Sequence, residues 1–269
     1  MKQFVLPGEN EAGDSITLTG KEFRYLCVVR RYRPGDAVPA LTPGGHPLEL
    51  VLTDVGEGEC RGRLTAVSRA ASRHAAGAAG APTLPRITLC QATLKGRKFD
   101  QVVRQATEAG VDRILPIVTR YTVADPRATG RDEKKLHRWQ TIAREAVQQS
   151  GRGDIPVVEP PRSLEHLLDT GTLPHGPADP GGKIFFHEKA REAPPLHKSL
   201  VPDERAAEPE EVYLLLGPEG GLSPEEVAKL RRTGWRPGFL GPHVLRSETA
   251  AVYALAAVQT VLREVDAWA

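Results

Sequence analysis

The stretch Leu214-Leu215-Leu216-Gly217-Pro218-Glu219-Gly220-Gly221-Leu222-Ser223-Pro224-Glu225-Glu226 runs from an apolar segment through a glycine-rich loop into a helix start. The leucines read as the end of a buried strand over Val212–Leu216. Ser223 fits the helix N-cap, Pro224 the first helical position, and Glu226 completes a capping box. Bare glycine backbone at a strand's carboxyl end lets a ligand approach closely, and open α/β sheets bind their ligands at that end. The loop is neither a Walker loop nor a dinucleotide fingerprint, because G-x-x-x-x-G-K-[ST] and G-x-G-x-x-G are both absent from it.

A second stretch repeats the plan. Phe239-Leu240-Gly241-Pro242-His243-Val244-Leu245-Arg246-Ser247-Glu248-Thr249-Ala250 again reads as strand, Gly-Pro loop and helix. Arg246, Ser247, Glu248 and Thr249 bring donors and one carboxylate to the helix mouth. Two readings stand side by side here: Ser247 or Thr249 caps the helix and Arg246 pairs with Glu248, or these groups serve a pocket formed by the two loops together.

Working outward, apolar strands alternate with helical segments. Strands are expected at Arg86–Gln91, Arg113–Val118, Lys183–Phe186 and Val212–Leu216. Helices are expected at Phe99–Ala109 (with the stripe Phe99, Val102, Val103, Ala106 and Ala109), from about Glu133 to Gln149, and at Thr249–Val265. This alternation predicts a parallel sheet covered on both faces. Residues 160–183 and 190–209 are Pro-rich connections with no assignable chemistry. Upstream, the first seventy residues show short strands at Ser15–Thr19, Leu48–Leu52 and Arg61–Val67, one helical segment at Lys21–Arg30, and Gly- and Pro-bearing turns between them: the pattern of a small β-barrel. The Ala- and Gly-rich run from Ala70 to Ala81 has no apolar periodicity and reads as a linker. The expected organisation is therefore 1–70 barrel, 71–83 linker, and 84–269 α/β domain.

Composition removes several function classes. The 269 residues are 40% hydrophobic and 26% charged, as in an ordinary folded protein. No apolar run reaches membrane-spanning length and no secretory signal opens the chain, so a cytoplasmic location is expected. Cys27, Cys60 and Cys90 are isolated, which supports neither a disulfide framework nor a cysteine metal site. His187-Glu188 begins like a zinc-protease motif, but Arg191 stands where the second histidine belongs. The net charge of +2 conceals asymmetry: residues 86–152 carry 14 Lys and Arg against 7 Asp and Glu, and residues 159–230 carry the reverse, 7 against 14. A basic third beside an acidic one is compatible with a polyanionic partner or with two solvated faces.

The two loop strings together resemble the signature of the RsmE family, bacterial enzymes that methylate N3 of a uridine in small-subunit ribosomal RNA, within the SPOUT class. Gln105-Ala106-Thr107-Glu108-Ala109-Gly110-Val111 resembles that family's Q-K-A-T-E-L-G-V. Glu145-Ala146-Val147-Gln148-Gln149-Ser150-Gly151-Arg152 is similar to its E-A-x-E-Q-S-x-R, and Lys95-Gly96 and Trp139 match as well. Val29-Arg30-Arg31-Tyr32-Arg33-Pro34-Gly35-Asp36 is similar to V-L-R-x-x-x-G-D. The chain departs from the family at Tyr25, where a histidine is common, and at Thr119-Arg120-Tyr121-Thr122, which replaces T-E-R-S.

The resemblance implies a fold: a PUA-like β-barrel followed by a SPOUT α/β domain with a C-terminal trefoil knot, working as a homodimer. It implies S-adenosyl-L-methionine as cofactor, 16S rRNA of the small ribosomal subunit as partner, and no metal or membrane. By the same likeness Leu216, Gly217, Pro218, Gly220, Gly221, Leu240, Gly241, Pro242, Val244, Leu245 and Thr249 are expected to hold the cofactor. Arg246 would stabilise the anion formed at uracil N3, and Glu219 or Glu248 would receive its proton. Arg31, Arg33, Lys95, Arg97, Lys98, Arg120 and Arg152 are the candidates for phosphate contacts. Two rivals remain at this point: a SPOUT enzyme acting on a ribose 2′-hydroxyl or on transfer RNA, and a ribosome-assembly RNA-binding protein without turnover.

Overall fold

The computed structural model describes residues 4–67, 85–127, 130, 132–152, 154–171, 173, 182–190, 192–200 and 211–264. The expected linker at 71–83 lies outside them. The described residues form two compact units: one extends to residue 81 and includes Arg144–Ile155, and the other comprises 82–143 and the residues from 156 onward.

The first unit is a five-stranded sheet in the order β1-β3-β4-β5-β2, built from Phe4–Val5 (β1), Ser15–Thr19 (β2), Ala37–Leu41 (β3), Pro47–Val55 (β4) and Glu59–Ala66 (β5). Its pairings are antiparallel apart from β1 with β3. Alternation does the sorting: Leu48, Leu50 and Leu52 of β4 face a core with Leu18, Val38 and Leu64. The predicted helix at Lys21–Arg30 is an α-turn, Gly20–Phe23 (α1), continued by a π-helical turn, Arg24–Val29. The wider turn is visible in the Arg30 N–H, which donates to Tyr25 O five residues back. Arg31, directly after it, is left-handed with φ 62°.

The second unit is a seven-stranded, wholly parallel sheet. Its strands are Arg86–Ala92 (β6), Arg113–Val118 (β7), Val157–Val158 (β8), Arg162–Ser163 (β9), Lys183–Phe186 (β10), Glu211–Leu216 (β11) and Arg236–Gly238 (β12), in the order β12-β10-β11-β6-β7-β8, with β9 also beside β7. The helices are Lys98–Glu108 (α2), Asp132–Ser150 (α3, which from Arg144 onward belongs to the first unit), Leu164–Thr170 (α4), Leu196–Leu200 (α5), Pro224–Arg232 (α6) and Ser247–Arg263 (α7). Both faces of β11 are buried. Val212, Leu214 and Leu216 pack with Phe99, Val102 and Val103 of α2 and with Ala251, Leu255 and Val258 of α7. Tyr213 and Leu215 pack on the other face with Leu167 of α4 and Leu230 of α6. Each fully buried leucine of this kind contributes about 1.5–3 kcal/mol.

Two expectations shift. The strand anticipated at Phe239–Leu240 ends at Gly238, and the two apolar residues belong to the following loop. The Pro-rich connections contain structure: β9 and α4 in one, α5 in the other. Of the three thiols, Cys60 and Cys90 are buried and Cys27 half-buried. No helix among the described residues is long and apolar enough to cross a membrane.

Candidate active site

Register fixes where the loops meet. Leu216 pairs with both Gln91 and Phe186, and Phe186 pairs with Gly238. Four parallel strands therefore end at one level, and the segments beginning at Thr93, His187, Gly217 and Phe239 leave the sheet on the same side. The neighbours β6 and β11 send their next helices to opposite faces, α2 to one and α6 to the other. Such a divergence opens a crevice between strand ends.

A cavity of about 610 Å³ lies there, within the range of small-molecule sites. Its apolar wall comes from Phe186, Leu216, Leu222, Leu240, Val244 and Leu245. His187, Glu188, Glu219, Arg246, Ser247 and Glu248 supply its polar groups.

Local chemistry holds the loops in place. The Ser223 side chain accepts from Glu226 N–H while Glu226 accepts from Ser223 N–H, so the predicted capping box is formed with Pro224 at the helix start. Gly241 adopts φ +126° and Gly221 φ +73°, conformations an L side chain resists. Ser247 does not cap α7; Arg246 is the N-cap residue and its side chain makes no cap bond. The Ser247 hydroxyl instead donates to Gly217 O at 2.6 Å and accepts from Gln91 Nε2 at 3.1 Å. Gln91 Nε2 also reaches Gly217 O at 3.3 Å. Three segments distant in sequence are pinned at one carbonyl.

The charged groups differ in their freedom. Glu219 Oε1 accepts from Lys98 Nζ at 3.1 Å and from Lys95 N–H at 3.2 Å. Partial burial pushes its pKa up, but its own backbone N–H, Lys98 and the Lys95 N–H outweigh that and hold it below the ordinary carboxylate value. Glu248 is only 7% exposed, and its Oε2 has no hydrogen-bond partner among the described residues. The Arg246–Glu248 pair, one of the two readings of this stretch, is absent from the ion pairs of the described residues, and Arg246 is exposed at the cavity. Burial lowers the His187 pKa, with Glu188 opposing, so the imidazole favours its neutral form.

Of the expected cofactor residues, Leu216, Gly217, Pro218, Gly221, Leu240, Gly241, Val244 and Leu245 line the cavity, as do Arg246, Glu219 and Glu248; Gly220, Pro242 and Thr249 are not in its lining. Lys98, expected at a phosphate, lines the cavity through its pair with Glu219. Lys95 and Arg97 are exposed beside it, and Arg120 is exposed and paired with Glu225 at 3.2 Å. In the first unit Arg31 and Arg33 are exposed, whereas Arg152 is 11% exposed and binds Asp154. Sequence reasoning missed Phe186, His187 and Glu188. Their signal was the strand Lys183–Phe186 directly before them, but His187-Glu188 had been weighed only as a metal motif.

An RNA methyltransferase domain family matches residues 82–259. The ribosomal RNA small subunit methyltransferase E of Mycobacterium bovis is 32% identical over 96% of this chain and 90% of its own length. That of a Synechocystis strain is 30% identical over 97% of this chain and 78% of its own. Among solved structures, the Neisseria gonorrhoeae ribosomal RNA small subunit methyltransferase E bound to S-adenosyl methionine superposes with a TM-score of 0.74 at 26% identity, covering 97% of this chain and 98% of the other. A Legionella pneumophila methyltransferase with bound cofactor gives 0.70 at 26% identity over 96% and 97%.

Proposed function

This chain belongs to the ribosomal RNA small subunit methyltransferase E family, and on that premise we propose that it methylates N3 of one uridine in 16S rRNA with S-adenosylmethionine as donor. The observation that carries the reading is the cavity between the two Gly-Pro loops, at the carboxyl ends of β11 and β12.

The residues fit the donor. The cavity has an apolar wall, two loops with glycine backbone conformations, and a buried carboxylate oxygen left without a partner. Backbone groups of Leu216, Gly217, Gly221, Leu240, Gly241 and Leu245 would hold it, with Pro218, Pro242 and Val244 shaping the walls and Gly220 and Thr249 just outside the lining. S-adenosylmethionine supplies a methyl on a sulfonium, whose departure leaves a neutral thioether. The protein's task is alignment of the acceptor atom and management of one proton. Uracil N3 is protonated at neutral pH. Glu248 receives that proton, being the carboxylate with a buried oxygen that has no partner among the described residues, while Glu219 already accepts from Lys98 and the Lys95 N–H through Oε1. Arg246 faces the charge that then spreads over the uracil carbonyls.

Gly241→Ala tests the cradle directly. Forcing a Cβ into φ +126° costs of the order of 1–3 kcal/mol. The dissociation constant for S-adenosylmethionine, measured by calorimetry, should rise roughly 5- to 150-fold. An unchanged constant would remove Gly241 from the cradle.

Arg31, Arg33, Lys95, Arg97, Lys98 and Arg120 are proposed phosphate contacts, with Arg152 available only by exchange with Asp154. Affinity for small ribosomal subunits should fall more than roughly tenfold between about 50 and 200 mM salt. A flat salt response would reject the group. The finer architecture follows the family resemblance: a PUA-like barrel at 1–70, the linker at 71–83, a knotted SPOUT domain at 84–269, a homodimer, and a cytoplasmic site of work where ribosomal RNA is processed. An uncharged exposed face on α7 supports the dimer: Thr249, Tyr253, Ala256 and Thr260 recur along it, and Val244 is 76% exposed in the adjoining loop.

The deciding experiment transfers labelled methyl onto small subunits from cells lacking the protein and locates it by mass spectrometry of the digested RNA. Label on a ribose oxygen or only on transfer RNA would establish the first rival. Donor binding without transfer to any of these RNAs would favour the second.

A further inference from the structure

Tyr121 sits in the turn that follows β7. Thr122 N–H donates to Thr119 O at 3.1 Å and Thr119 N–H donates to Thr122 Oγ1 at 3.0 Å, closing the turn around it. One carboxylate then ties this turn to the glycine loop. Glu226 accepts from Arg120 N–H at 2.8 Å through Oε1 and from Ser223 N–H at 2.8 Å through Oε2. The Tyr121 backbone is thus held beside the 217–222 loop by the same group that caps α6.

The approach to that loop is close. A Cβ placed on Gly220 would lie 3.1 Å from the Tyr121 Cβ, tighter than side chains normally tolerate. Gly220 is not among the left-handed glycines, so space rather than conformation accounts for the missing side chain. Its neighbours Gly217, Pro218, Glu219 and Gly221 all line the cavity.

Despite this tethering, Tyr121 is 43% exposed. A single exposed tyrosine on a surface is ordinary. This one is held against Gly220, a residue without a side chain whose neighbours on both sides line the cavity. Cations stand near the same loop: the Lys98 ammonium pairs with Glu219, next to Gly220, and the exposed Arg120 directly precedes Tyr121. An aromatic plane and basic groups close together suit a single-stranded nucleotide, the ring taking the base and the cations the phosphate.

We propose that Tyr121 is a stacking platform for an unpaired base flanking the target nucleotide, so that the neighbour is held at the rim while the target enters the cavity. This rests on RNA being the substrate, as proposed above. Stacking selects by the π-face and not by bulk, which sets the test.

Four variants, Tyr121→Ala, Tyr121→Leu, Tyr121→Phe and Tyr121→Trp, all retain the Cβ that meets Gly220. Binding to small subunits from cells lacking the protein is measured alongside KM and kcat for methyl transfer and calorimetric affinity for S-adenosylmethionine. Tyr121→Ala and Tyr121→Leu should weaken RNA binding and raise KM by roughly 5- to 150-fold. Tyr121→Phe and Tyr121→Trp should stay within about threefold of the parent. Donor affinity should be unchanged in all four. Unaltered RNA binding in Tyr121→Ala, or rescue by Tyr121→Leu equal to that by Tyr121→Phe, overturns the platform. A parent protein that binds RNA with this aromatic dependence but transfers no methyl would overturn the proposed function and leave the platform standing.

Discussion

Arg246→Ala should lower the methyl-transfer rate on small ribosomal subunits by roughly 10²- to 10³-fold, the range for removing one donor aimed at developing charge, with donor affinity within a few-fold of the parent. The expectation follows from placement. Arg246 lines the cavity at the start of α7, and its guanidinium is not committed to an ion pair among the described residues. An arginine already neutralised by Glu248 would have less field to offer an anion; here that pair is not made. Single-turnover measurement with saturating donor isolates the chemical step. A full rate with undiminished donor affinity would remove Arg246 from that role, and a loss confined to donor binding would make it a cofactor contact.

Glu248→Gln is expected to cost roughly 10²- to 10⁴-fold in rate, the span for a positioned acid–base group. The amide keeps size and polarity, so melting temperature and donor affinity should change little. The diagnostic is pH. Without its acceptor the variant depends on hydroxide or on prior loss of the uracil proton, so its residual rate should climb steadily from neutral to alkaline pH while the parent's levels off. A variant whose deficit is the same at every pH would show that Glu248 only positions. If Glu219→Gln or His187→Ala shows the alkaline rescue instead, the proton goes to that group.

Much of this site was legible because it is written in local rules. The capping box at Ser223–Glu226 and the strand over Val212–Leu216 each depend on a few adjacent residues, and the structure contains both, with the strand starting one residue earlier, at Glu211. What was not legible depends on register. Nothing in His187-Glu188 itself announces a cavity wall; the pair arrives there because Phe186 is level with Leu216 across the sheet. Ser247 left two readings open for a related reason. A serine at a helix start ordinarily caps it, but a carbonyl from a loop thirty residues upstream took its hydroxyl first. Likewise the Glu219–Lys98 pair spans 121 positions and follows only from β6 and β11 being neighbours.

The bond between Ser247 and Gly217 has a bearing on how the protein comes into being. Together with Gln91 it joins points 126 and 156 residues apart, and such closures are made late because chain entropy must be surrendered before they reward it. During synthesis the final helix emerges after everything it fastens. If the two loops hold the donor as proposed, a nascent chain cannot retain it until this helix has docked, and donor capture would report that docking.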